Sequence, residues 1–129
     1  MTQSPALRTT ILVVEDEYLI AVDLQETLSA AGFSVVLHFG GADAIKDFDT
    51  SAVEIVALVT DIRLVEGPTG WEVARHARRL NSQLPVVYTS GDSAHGWEAE
   101  GVPSSVFLQK PYASAQVVTA VATLINRTC

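Results

Sequence analysis

The stretch ILVVEDE, residues 11–17, decides how the rest of the chain is read. Its first four residues, Ile11 to Val14, are apolar without alternation and three of them are β-branched, as expected of a strand covered on both faces. The run then stops at Glu15, Asp16 and Glu17, so it is too short and wrongly flanked for the apolar region of a signal peptide. Four more short apolar runs follow at Ser34 to Leu37, Ile55 to Thr60, Val86 to Thr89 and Val106 to Leu108.

Helical periodicity fills the gaps. Between Tyr18 and Ala31, the residues Ile20, Leu24, Leu28 and Ala31 share one face, and Gly32 is placed to end the helix. A shorter helix is expected over Ala42 to Phe48. A third runs from Trp71 to Leu80 with Val73, Ala74, Ala77 and Leu80 apolar, and a fifth from Ala113 to Ile125 follows Pro111. The connection from Gly91 to Ser105 holds three glycines and Pro103, so any helix there is short, within about Ala94 to Glu100. Strands alternating with helices imply a parallel five-stranded sheet covered on both sides, a doubly wound α/β domain with a short or irregular fourth helix.

At 129 residues the chain is one domain, expected over residues 10–127 with a flexible tail at 1–9 and an end at 128–129. Hydrophobic residues make up 48% and charged residues 18%, a composition that excludes disorder. Fifteen acidic against eight basic residues give a net charge of −7, which disfavours direct contact with nucleic acid. A membrane span needs about 18 consecutive apolar residues. The longest unbroken run here is Ile55 to Val59, so no membrane contact is expected and the cytoplasm is the expected location. The single cysteine, Cys129, cannot close an internal disulfide, which fits a reducing compartment.

Ligands of an open α/β sheet bind beyond the carboxyl ends of its strands. Strand one ends in Glu15 and Asp16, strand three in Asp61, strand four in Thr89 and Ser90, and strand five in Gln109, Lys110 and Pro111. Carboxylates about 4 Å apart repel by roughly 4 kcal/mol at an effective dielectric near 20, so three together call for a cation or a raised pKa. Oxygen donors without His or Cys favour a hard ion, and a water-accessible site suits Mg2+ better than Ca2+. Such an ion with carboxylates, Lys110 and a hydroxyl is equipment for handling a phosphoryl group, with one carboxylate as nucleophile. Asp61, alone on the central strand, is the candidate nucleophile, and Glu15 with Asp16 the candidate metal pair.

The segments ILVVEDE, LVTDIRL, PVVYTSGD and VFLQKPY resemble, in order and spacing, the receiver domain of two-component response regulators, over about Thr10 to Arg127. The resemblance implies a flavodoxin-like strand order 2-1-3-4-5. It further implies that Asp61 accepts the phosphoryl group, that Glu15, Asp16, Asp61 and the Arg63 carbonyl bind Mg2+, and that Lys110 contacts the phosphate. Ser90 takes the place of the switching hydroxyl and Phe107 that of the switch aromatic. A histidine kinase or phosphotransfer protein is the implied donor, and a downstream protein target the implied output. The regulator then catalyses its own phosphorylation and dephosphorylation without being an independent enzyme.

Two departures from the family pattern stand out. Val65 occupies the place of the usual proline four residues after the acceptor, and Pro68 is displaced into the following loop, so that loop is expected to differ in shape. Arg63 is long and cationic, and either lies over the acceptor or pairs with Asp92. The competing functions are a phosphorylation-independent adaptor on the same fold, an aspartate-nucleophile phosphohydrolase, and a flavodoxin-like cofactor binder. Arg63 stands where the phosphohydrolase needs a second Asp, and Glu15 to Glu17 would repel a cofactor phosphate.

The histidines His38, His76 and His95 show no metal-ligand spacing, and Arg75, Arg78 and Arg79 read as a solvated strip on helix three. Trp71 and Trp97 read as packing residues and Tyr112 as a semi-exposed aromatic. With about two residues beyond helix five, output is expected through a partner, or the domain is a relay intermediate or phosphate sink. Helix five carries more apolar residues than one buried stripe needs, among them Val117, Val118, Val121, Leu124 and Ile125. Some are expected at the surface, as a homodimer or target contact together with the fourth connection and strand five.

Overall fold

The computed structural model describes residues 10–50, 54–92 and 96–128. The elements are β1 (Thr10–Val14), α1 (Tyr18–Ala30), β2 (Ser34–His38), α2 (Gly41–Thr50), β3 (Ile55–Asp61), α3 (Gly70–Leu80), β4 (Val86–Ser90), α4 (Trp97–Glu100), β5 (Val106–Gln109) and α5 (Ser114–Thr128). All strands are parallel, in the order β2-β1-β3-β4-β5. The winding reverses between β1 and β3, so the loops leaving them diverge and open a crevice at their carboxyl ends. The tail at 1–9, His95 and Cys129 lie outside the described residues.

Side chains alternate across each strand, and the sheet is covered twice. Leu12, Val14, Leu58, Val86 and Tyr88 face α2 and α3, packing with Ala44, Val73, Ala74 and Ala77. Ile11, Val13, Ala57, Val59 and Val87 face α1 and α5, packing with Leu24, Leu28, Val117, Val121 and Leu124. Continuous burial holds for β1 and β4 and for most of β3; β2 and β5, as sheet edges, are only half-buried. Gly32 ends α1 with φ +101°, the left-handed conformation expected of its place.

Several surface expectations are corrected. Ala31 and Leu80 are exposed, each lying at the end of its helix where the buried stripe has run out. In α5, Val117, Val121 and Leu124 are buried, and Val118 and Ile125 are partly buried against the same core, so the helix has little apolar surface to spare. Among the described residues, the large exposed apolar side chains are instead Tyr18, Leu19, Phe39, Val65 and Leu80.

Of the arginines of α3, Arg75 and Arg79 are exposed as expected, whereas Arg78 is half-buried. Arg75 bonds the carbonyl and carboxylate of Glu100, Arg78 bonds the carbonyls of Leu84 and Pro103, and Arg79 reaches His76. His38 and His76 pair with Asp47 and Asp49, both at 2.6 Å, tying α2 to β2 and to α3. The fourth helix is a single turn. Its Trp97 stacks on Phe107, and its indole N–H donates to Ser105 Oγ at 2.9 Å.

Candidate functional site

Asp61 closes β3 and is 5% exposed. Its position is set from behind by Gly70, the first residue of α3, whose backbone lies so close that a Cβ there would sit 2.1 Å from the Asp61 carbonyl oxygen. Thr69 and Glu72 form a capping box that starts α3 at this point: the Glu72 N–H donates to Thr69 Oγ1, and the Thr69 N–H to Glu72 Oε1.

Glu15, Asp16 and Asp61 each offer a carboxylate oxygen within 4.8 Å of the others. Glu15 is 1% exposed; its Oε2 accepts the Glu17 N–H at 3.0 Å, while its Oε1 lies 3.0 Å from Lys110 Nζ but receives no hydrogen bond. Asp16 Oδ2 accepts the Val65 N–H at 2.8 Å. A proline at position 65 would have no such proton. The departure from the family pattern therefore creates a bond that joins the loop after β1 to the loop after β3.

Lys110 reaches across the cluster, with Nζ 3.0 Å from Glu15, 3.1 Å from Glu17 and 3.3 Å from Asp61. Its own N–H donates to the Ser90 carbonyl at 2.7 Å, and the Lys110–Pro111 peptide is cis. Burial pushes Glu15 up to about 7, with the charge of Asp61 adding to the effect and the Glu17 N–H and Lys110 opposing it. Burial also raises Asp61, against the pull of Lys110. Burial works against the charge of Lys110, but the surrounding carboxylates outweigh it and hold the ammonium above its ordinary pKa.

Ser90 is buried at the end of β4, and its Oγ accepts the Asp92 N–H at 3.1 Å. Arg63 resolves its two expected arrangements by pairing with Asp92 at 2.5 Å, with both side chains largely exposed. Phe107 is half-buried beneath Trp97 on β5. Tyr112 differs from its expected role as a plain aromatic: its hydroxyl is buried without a partner, and burial together with the charge of Glu15 pushes it up to about 12.

Three contributors were not singled out from sequence. Glu17 stands in plain view beside the acidic pair, but only the start of α1 turns it toward Lys110. The Val65 N–H and the close approach of Gly70 are backbone features with no side-chain signature.

The donor set fits a hard divalent cation. The side-chain ligand candidates are carboxylate oxygens, one of them buried with only Lys110 at ion-pair distance, and a single ammonium faces three acids. Fold and site together define a doubly wound α/β domain with an acidic cluster and a lysine at the carboxyl edge of its sheet. The family model of the response regulator receiver domain matches residues 11–122, and the chain belongs to that family.

A response regulator receiver protein from Sinorhizobium medicae WSM419 has the same fold with a TM-score of 0.88 and 45% identity, over 92% of this chain and 94% of that one. The transcriptional regulatory protein CusR of Escherichia coli (strain K12) is 29% identical over 91% of this chain and 51% of its own. Response regulator MprA of Mycobacterium avium (strain 104) is 28% identical over 92% and 51%. The chain thus spans about half the length of these two relatives.

Proposed function

We propose that the unit spanning residues 10–127 accepts a phosphoryl group on Asp61 and thereby switches a protein-binding surface. The observation that carries this reading is Lys110 lying across a cluster of three carboxylates at the point where the sheet winding reverses. Glu15, Asp16 and Asp61, with the carbonyl of Arg63, would hold Mg2+. Bound there, the ion would screen the negative charge of acceptor and donor.

An Asp61 carboxylate oxygen attacks phosphorus of a phosphohistidine or acyl phosphate. The bond to the donor nitrogen or oxygen breaks, and its electron pair leaves with the donor. Attack by water on the aspartyl phosphate later releases inorganic phosphate and restores the carboxylate. This is self-catalysed phosphorylation and dephosphorylation, not turnover of a metabolite. Lys110 gives up Asp61 and follows the new phosphoryl oxygens. The Ser90 hydroxyl, which now accepts from Asp92, donates to one of them and draws the loop after β4 inward.

The donor in this reading is a histidine kinase or phosphotransfer protein, the output a protein target, and the location the cytoplasm. No helix among the described residues is long and apolar enough to cross a membrane. Target or homodimer contact is placed on the groove between β5 and α5, lined by Val106, Leu108, Thr119 and Ala120, next to the Trp97–Phe107 stack.

The test is incubation with acetyl phosphate followed by mass spectrometry of the intact protein. One phosphoryl group is expected with Mg2+, and none with chelator or in Asp61→Asn. Equal labelling of Asp61→Asn would overturn the assignment.

A further inference from the structure

At the opposite end of the strands from Asp61 lies a cleft of about 540 Å3, lined by Arg78, Arg127, Ser82, Gln83 and Ser104, with Pro85, Pro103 and Leu124 as its apolar part. Its volume lies within the range of small-molecule sites. In a chain with fifteen acids and eight bases, both charged residues of this lining are arginines and none is an acid.

Arg78 is held rigidly. Its Nε donates to the Leu84 carbonyl at 2.7 Å, Nη1 to the Pro103 carbonyl at 2.7 Å, and Nη2 to the Ser104 carbonyl at a long 3.5 Å. These three acceptors are neutral. A guanidinium has five N–H donors, so among the described residues two remain without an acceptor and the charge has no counter-charge within ion-pair distance. Partial burial already disfavours that charge. Arg127, in the last turn of α5, has no ion pair or hydrogen bond among the described residues. The lining also includes Ser104 at φ +59°, a left-handed conformation held by a residue other than glycine. Such strain persists where surrounding structure enforces it, and it concentrates at ligand sites.

We propose that this cleft binds a small oxyanion, a phosphate monoester or carboxylate with a compact apolar body, its charged oxygens taken by Arg78 and Arg127 and its body laid against Pro85, Pro103 and Leu124. Two guanidiniums in one lining, one of them held in a fixed orientation, suit the oxygens of such a group. The loops that form the cleft lead directly into β4 and β5, whose far ends carry Ser90 and Lys110. The inference does not depend on Asp61 being the phospho-acceptor.

The test is titration of the isotope-labelled protein with inorganic phosphate, phenyl phosphate and succinate in chelator, followed by amide chemical shifts. Saturable shifts at Ser82, Gln83 and Ser104 are expected, with phenyl phosphate binding more tightly than inorganic phosphate. Tighter binding of phenyl phosphate than of succinate assigns the phosphate monoester, and the reverse order the carboxylate. Arg127→Gln should weaken binding about fivefold, since it removes an exposed charge without disturbing a contact. Gln83→Glu, which puts an acid into the cleft, should weaken it further. Shifts that do not saturate, shifts confined to the Asp61 end, or unchanged affinity in both variants would overturn the proposal.

Discussion

Replacing Glu15 by Gln should make the metal-free protein more stable, although it removes a residue from the centre of the site. On folding, the Glu15 carboxyl moves from its ordinary 4.5 to about 7. Between those values the folded protein holds a proton that the unfolded chain releases, so stability falls as pH rises through this window and levels off above it. The cost is about 1 kcal/mol at pH 5 and about 3 kcal/mol at pH 8. Gln carries no such cost, and its amide oxygen can still accept the Glu17 N–H. Lys110 keeps Glu17 and Asp61 as partners. Urea unfolding in chelator should therefore show the variant gaining about 2 kcal/mol on wild type between pH 5 and pH 8. Added Mg2+ should narrow or reverse the difference, because an ion bound only by the folded state stabilises it by mass action. A variant less stable than wild type at pH 8 in chelator, or a pH-independent difference, would refute the reasoning.

Gly70→Ala forces a methyl group against the Asp61 carbonyl and should cost about 2–3 kcal/mol in thermal or urea unfolding, with loss of Asp61 labelling by acetyl phosphate. Tyr88→Phe removes the hydroxyl that accepts the Val102 N–H at 3.0 Å in the core; leaving that donor buried and unpaired should cost about 1–3 kcal/mol, and amide exchange at Val102 should accelerate. Asp92→Asn breaks the pair with Arg63, but both side chains are exposed, so unfolding stability should change by less than about 0.5 kcal/mol.

Most of the architecture is legible in the residue order, because buried parallel strands leave a plain trace. Ile11 to Val14 are apolar throughout and Val86 to Thr89 are buried throughout, and each lies within an observed strand. Boundaries were harder: β3 extends one residue to include Asp61 and β5 one residue to Gln109, since backbone pairing does not stop where apolar side chains do. The residues converging on the site were also readable, as strand ends in a sheet of known winding must meet. What lies between them was not. Arg78 looks like any helix-surface arginine until the fold brings two loops against it, and Leu80 continues a helical stripe past the point where the sheet still covers it. Contacts made by backbone groups, such as the Val65 N–H, leave no mark on residue type at all.

That last bond gives the protein an internal reporter. Val65 is 83% exposed, and its amide proton has the Asp16 carboxylate as its partner. A chain with proline at this place would carry no proton to observe. Here, the exchange rate and chemical shift of one backbone amide follow the orientation of Asp16 directly, without a label, a substrate or a partner protein. Any event that turns this carboxylate away from Val65 releases the amide proton to solvent, so the state of the acidic site can be read from its rim.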